Sequence, residues 1–281
     1  MKKLTLRAVV SEGAGMRYNK TIMLSNGVEC CLRNGTESDG QLVLDNFNLT
    51  HSETDYLLTY PDENSFNAEQ ESQFLKEKAE SEREIELIAI VDGVITGTAG
   101  IEAIGTKYKV RHRAEFGISV AKKYWGLGIG KALLASCIEC AKAAGYSQLE
   151  LNVVAENERA VSMYEQAGLS KQAAYLLAAA YASIGKKKNA EELLFKVRLK
   201  EEDPCMDAIY GTANRDKAML LDTYLLMGRN DDALKLAKEL SESLSNENIF
   251  DTQSSAFALM ALGQLAEKMS GTLKFSWAID E

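Results

Sequence analysis

Apolar positions along the chain change rhythm near Leu169. Before it, runs spaced by two alternate with runs spaced by three and four; after it, nearly every stretch carries helical spacing. TIMLSNGVECCLR holds two strand-like runs around Asn26-Gly27, the dipeptide of a two-residue hairpin. Thr36-x-x-Asp39 offers an N-terminal cap with an acid at its third position, ahead of a helix carrying Leu42, Leu44, Phe47 and Leu49. A second helix is predicted around Gln70–Glu80, within the acidic stretch Asp62–Glu82. ELIAIVDGVITGTAGI gives another hairpin, turning at Asp92-Gly93, and HRAEFGISV a further strand. Gly130–Ala144 reads as an amphipathic helix with Leu133, Leu134, Cys137, Ile138 and Ala141 on one face and Gly145 as its left-handed stop. Leu149, Leu151 and Val153 mark the next strand, and Glu158–Ala167 the next helix, with Asn157 as N-cap.

Beyond Leu169 the pattern predicts helix pairs Gln172–Ile184 with Asn189–Val197 and Asp216–Met227 with Asp231–Leu244, then a fifth helix Ser254–Met269. Tyr181-x3-Gly185-x4-Ala190 recurs as Tyr224-x3-Gly228-x4-Ala233. Stacked α-hairpins explain this recurrence, and so does a tight helix–helix turn used twice. The last residues, GTLKFSWAIDE, alternate Leu273, Phe275 and Trp277 like one strand.

Composition narrows the function classes. The 281 residues are 46% apolar and 26% charged, as in a core-forming protein. A net charge of −9 argues against a general nucleic-acid binder, though not against a basic patch around one small anion. No run approaches the roughly 18 apolar residues of a membrane span, so no membrane partner is expected. MKKLTLRAVVSEGAG is broken by Arg7 and Glu12 and makes a poor signal peptide. Cys137-x2-Cys140 could be a redox pair or half a zinc site; without a second Cys/His pair, buried small hydrophobes are expected and no metal. His51 and His112 adjoin no Ser or Cys nucleophile motif, which argues against a covalent hydrolase.

Chemistry concentrates in VAKKYWGLGIGKALLASC, where Gly126, Gly128 and Gly130 stand between a strand and a helix. Backbone N–H groups at a helix start bind anions, and glycines let a ligand approach them. A P-loop is excluded, because Ala132 follows Lys131 and Trp125 takes the first glycine position. A dinucleotide fingerprint fails because Lys131 replaces its third glycine. From the glycines alone, an anion cradle and a structural turn remain open.

The strand ending at Val120, this turn, and the downstream Asn157-ERAVSM-Tyr164-EQA-Gly168-Leu169 together resemble the GNAT superfamily of acyl-coenzyme A N-acyltransferases. Gly128 and Gly130 match the glycines of the family's [QR]-x-x-G-x-[GA] turn, while Trp125 replaces its leading Gln or Arg. The resemblance spans about residues 16–169. It implies acetyl-CoA as co-substrate, its pyrophosphate on the amides of Leu127, Gly128, Ile129, Gly130 and Lys131, with Lys122 and Lys123 as cationic help. It also implies a pantetheine arm along Ile118 and Val120 in a V-shaped gap beside strand 149–154, and a coenzyme A contact from Asn157.

Direct acetyl transfer requires a base for the amine and an acid for the leaving thiolate. Glu115, on the same strand face as Ser119, is the candidate base, or else an exposed carboxylate on a sheet surface. Tyr164 is the acid that the family resemblance implies; the plainer reading is a core tyrosine. The acceptor is then a small-molecule or peptide amine and the compartment the cytoplasm, with no nucleic acid.

After Tyr164 the resemblance stops short of the family's final two strands. Residues 170–268 instead resemble the helical thioester-domain region of bacterial alpha-2-macroglobulins, on SKQAAYLLAAAYASIGKKKNAEELL, RDKAMLLDTYLLMGRNDDALKLAKEL and DTQSSAFALMAL. The thioester Cys-Gly-Glu-Gln is absent, and a tetratricopeptide-like scaffold competes for the same helices. The chain thus reads as a chimera. It has a leader 1–15, a GNAT-like α/β domain 16–169 (a mixed sheet with flanking helices, final strands missing or replaced), an all-α segment of helical hairpins 170–268, and a truncated strand segment 269–281. The open edge at strand 149–154 needs cover from helix 172–184, from Thr272–Ala278, or from a second copy in a homo-oligomer. Truncation also leaves room for a second reading, a non-catalytic helical scaffold carrying an incomplete acyltransferase domain.

Overall fold

The computed structural model describes residues 15–198, 213–244 and 252–269. The leader as far as residue 14, Cys205 and the terminal segment Thr272–Ala278 lie outside the described residues. The chain divides into two units, Met1–Val154 and Ala155–Glu281.

The first unit is built on a mixed sheet of six strands in sequential order: β1 (Asn19–Met23), β2 (Glu29–Asn34), β3 (Ile85–Val91), β4 (Val94–Ala103), β5 (Arg113–Val120) and β6 (Gln148–Glu150). Neighbours are antiparallel except β5 and β6, which run parallel. Helix α3 (Ile129–Ala143) joins that parallel pair, as a parallel crossover requires. Helices α1 (Gly40–Ser52) and α2 (Ala68–Glu80) are inserted between β2 and β3. Val43 of α1 and Leu75 of α2 pack with Ile88 of β3 and Ile95 of β4, which fixes one face of the sheet. Strand alternation then puts Glu86, Thr98, Gly100, Glu102, Glu115, Gly117 and Ser119 on that same face. Helix α3 buries Ile129, Leu133, Leu134, Cys137, Cys140 and Ala141, and each large aliphatic among them contributes roughly 1.5–3 kcal/mol.

Three local expectations are refined. The first hairpin turns through Ser25-Asn26-Gly27, not two residues: Gly27 N–H donates to Leu24 C=O and Leu24 N–H to Val28 C=O, both at 2.9 Å, with Gly27 at φ +83°. This is the three-residue loop whose last member takes the left-handed conformation. The cap at Thr36–Asp39 first winds a short 3-10 turn, Glu37–Asp39, and α1 follows from Gly40. Most consequential for the site, the expected strand 149–154 is only three residues long, and residues 151–154 have no regular structure. Pairing with β5 ends at Glu115↔Glu150, whereas β5 itself continues to Val120. Cys30, Cys137 and Cys140 are buried free thiols, packed as small hydrophobes.

The second unit opens with α4 (Glu158–Ala167), followed by α5 (Lys171–Ser183), α6 (Lys187–Arg198), α7 (Ala213–Met227), α8 (Asn230–Leu244) and α9 (Thr252–Lys268). Helix α7 packs against α5, α8 and α9, so the pairs α5/α6 and α7/α8 stack through α5 and α7. The recurring Tyr-x3-Gly is the same helix stop made twice. Lys186 N–H donates to Tyr181 C=O and Arg229 N–H to Tyr224 C=O, each at 2.8 Å, with Gly185 and Gly228 left-handed between them. No helix among the described residues is long and apolar enough to cross a membrane.

Candidate active site

The glycine turn is held from three sides. Past Val120, Ala121 N–H donates to Thr96 C=O on β4 at 2.9 Å. A 3-10 turn, Lys122–Tyr124, follows, and its first N–H is capped by the Glu53 carboxylate at 2.6 Å, reaching from the end of α1. The Trp125 indole N–H donates back to Val120 C=O at 2.6 Å, drawing the loop closed. Leu127 C=O accepts the Ser25 N–H at 3.2 Å, which ties the tip of the first hairpin to the turn. The motif alone pointed to none of Ser25, Glu53 or the Trp125 brace: Ser25 and Glu53 are distant in sequence, and Trp125 stood out only as a mismatch.

The glycines then divide by role. Gly126 lies at φ +79° and Gly128 at φ +99°, conformations that side chains resist. An added Cβ at either would meet nothing within 4 Å, so the space in front of that backbone is open. Gly128 is the N-cap of α3, and the first intrahelical bond runs from Ala132 N–H to Gly128 C=O at 3.1 Å. The amides ahead of Ala132 therefore issue from the positive end of a 15-residue helix. The Ile129 side chain is buried and anchors the helix start, while Gly128 and Lys131 are exposed. No acidic residue stands in the first turn, and Lys122, Lys123 and Lys131 lie at the surface around it. A helix start, open space at Gly126 and Gly128, and surrounding lysines suit an anion such as a diphosphate.

Beside the turn, β5 runs on from Phe116 to Val120 with no strand partner on its β6 side among the described residues. Ile118 and Val120 border that opening, and Val120 C=O already accepts the Trp125 indole. Glu115 stands at the last paired position of β5, exposed, with Asn152 Nδ2 at 3.5 Å. In the second unit, Asn157 caps α4, its Oδ1 accepting the Ala160 N–H at 3.2 Å, and Tyr164 lies buried on the same helix. Burial pushes the Tyr164 phenol up to about 12, so it stays protonated across the neutral range.

The first unit thus combines a mixed sheet, a parallel strand pair whose pairing ends at Glu115↔Glu150, and a glycine-capped helix between those strands. The acetyltransferase (GNAT) family model matches residues 49–169. A GNAT-family acetyltransferase from Streptococcus pneumoniae is 31% identical, covering 50% of this chain and 83% of that one, with a TM-score of 0.48. A ribosomal-protein-alanine N-acetyltransferase from Brucella melitensis is 26% identical over 49% of this chain and 82% of its own, TM-score 0.44. A putative acetyltransferase from Salmonella typhimurium, solved with its cofactor acetyl-CoA, is 18% identical over 49% and 77%, TM-score 0.44. No curated protein matches the chain. The family match identifies residues 49–169 as a GNAT acetyltransferase domain. The match ends at residue 169, and the macroglobulin resemblance of residues 170–268 draws no support from it.

Proposed function

We propose that the chain is an N-acetyltransferase that moves an acetyl group from acetyl-CoA to an amine by direct attack within a ternary complex. The observation that carries this reading is the open, left-handed backbone of Gly126 and Gly128 at the start of α3. The amides of Leu127, Gly128, Ile129, Gly130 and Lys131 hold the diphosphate, and Ile118 and Val120 border the pantetheine arm. Acetyl-CoA supplies an acetyl group activated as a thioester. Glu115 serves as general base at the acceptor nitrogen. Asn157 contacts the coenzyme, and Tyr164 acts at the sulfur. A phenol near 12 is a weaker acid than free phenol at about 10, so Tyr164 works chiefly by donating a hydrogen bond to the forming thiolate.

Domain limits at 169/170 and 268/269 stand with this reading, as does a cytoplasmic location, where acyl-coenzyme A donors are made and used. The acceptor is a small-molecule or peptide amine. One observation favours a second reading, a helical scaffold with a disabled acyltransferase domain: among the described residues no strand follows β6. Thiol release from acetyl-CoA with a panel of primary amines decides between the two. Turnover is expected, falling about 100-fold or more in Tyr164→Phe. Equal rates in Tyr164→Phe would remove Tyr164 from the chemistry, and retained acetyl-CoA binding without turnover of any amine would favour the scaffold.

A further inference from the structure

The α1/α2 face of the sheet holds a second carboxyl that this chemistry leaves unused. Glu86 of β3, Gly100 of β4 and Gly117 of β5 form one row across three strands. A Cβ on Gly100 would lie 2.0 Å from Glu86 Oε2 and 3.1 Å from its Cδ, so the carboxyl occupies the space a side chain there would need. It therefore reaches over the bare backbone of β4 in the direction of β5. At Gly117 a Cβ would meet nothing within 4 Å, and that glycine is exposed. The Thr98 side chain hydrogen-bonds to the Glu86 carboxyl. Glu115 stands two residues from Gly117 on the same face, in the adjoining row with Glu102. Glu86, Glu102 and Glu115 thus border a strip of sheet floor without side chains, and Glu102 is taken up by Lys78.

Stoichiometry asks for two. An ammonium that ends as an amide loses two protons from nitrogen, one before attack and one after. We propose that Glu86 is a further catalytic residue, taking the first proton from a cationic primary amine lying over Gly100 and Gly117. This rests on the N-acetyltransferase reading. One ammonium N–H bond breaks and its proton passes to Glu86 Oε2. The freed lone pair forms the C–N bond to the acetyl carbon, and the C–S bond breaks with its electron pair on sulfur. Exposed Glu115 takes the second proton, and both carboxyls return their protons to water before the next turnover; the thiolate, hydrogen-bonded by Tyr164, takes one proton from solvent, so one proton is released overall.

The surroundings suit the task. Burial raises the Glu86 carboxyl to about 8, opposed by the Lys78 ammonium of α2 and reinforced by Glu71 of α2 and Glu102 of β4. Cys137 of α3 interacts with it from the opposite face. Lys78 is itself engaged by Glu84 at 2.9 Å and Glu102 at 2.8 Å, so it is shared among three carboxyls. A base near the working pH is the efficient one, and an arriving ammonium favours its ionised form.

The test uses the full chain, wild type and Glu86→Gln. Calorimetry with acetyl-CoA comes first: no binding by wild type overturns the acyltransferase reading, whereas equal binding by both proteins isolates Glu86. Carboxyl carbon NMR with benzylammonium and cadaverine as probes then follows the resonance missing in Glu86→Gln. It is expected to titrate near 8 in the free protein and below about 7 with a probe bound. For amines that are turned over, kcat/KM is expected to rise through the same inflection, and Glu86→Gln to lose it together with about 100-fold in rate. A resonance unmoved by every probe, or Glu86→Gln keeping the rate and inflection of wild type, overturns the proposal. Should Glu86→Gln fail to fold, Gly100→Ala displaces the carboxyl and is expected to give the same loss.

Discussion

Gly128 shows how one residue type serves a site through conformation. Its φ of +99° is costly for a side chain by roughly 1–2 kcal/mol, yet a Cβ there would touch no neighbour. Gly128→Ala is therefore expected to lower stability by about that amount and to weaken acetyl-CoA binding more than tenfold, as read by thermal melting and calorimetry. A variant with wild-type affinity would mean the diphosphate does not rest there. Gly130 differs: it lies inside the first turn of α3 and is absent from the left-handed glycines. The motif presents three glycines as one feature, and only backbone angles separate two that are conformational from one that is helical.

Among the elements, those set by local chemistry were legible and those set by pairing were not. Asn157 and Gly145 carry their caps in their own side chains or lack of one, so α4 and the end of α3 could be read directly. Strand β6 could not: Leu149, Leu151 and Val153 alternate like a strand, but its length is decided by how far β5 stays beside it. The cap before α1 combines both kinds of information. Asp39 accepts from the Thr36 N–H at 2.9 Å, as its spacing suggested, and also from Arg33 of β2 at 2.7 and 2.8 Å, which no spacing reveals. The Arg33 hydrogen bonds hold its carboxyl at about 2, below the ordinary 3.8. A depressed carboxyl stabilises the fold above its unfolded value and loses that contribution as pH falls through its folded value. Asp39→Ala is thus expected to cost about 2 kcal/mol at pH 7. The Tm gap to wild type should hold above about pH 4.5 and close toward pH 2. A gap independent of pH would assign the loss to packing.

At the scale of the whole molecule, the cradle and the two carboxyls belong to the first unit, and Asn157 and Tyr164 to the second. Family membership was readable because its glycine turn and its Asn–Tyr–Gly segment are local motifs. The Glu86–Gly100–Gly117 row was not, since three strands must be set in register before those residues share a face. A net charge of −9 makes the lysines around the turn an exception, and binding there should weaken with salt. Calorimetric titration of the full chain with acetyl-CoA is the most direct measurement. A single site is expected, with a dissociation constant on the order of micromolar and strongly weakened in Gly128→Ala. No detectable heat at millimolar acetyl-CoA, or the same affinity in Gly128→Ala, would contradict the assignment of this turn as the coenzyme's seat.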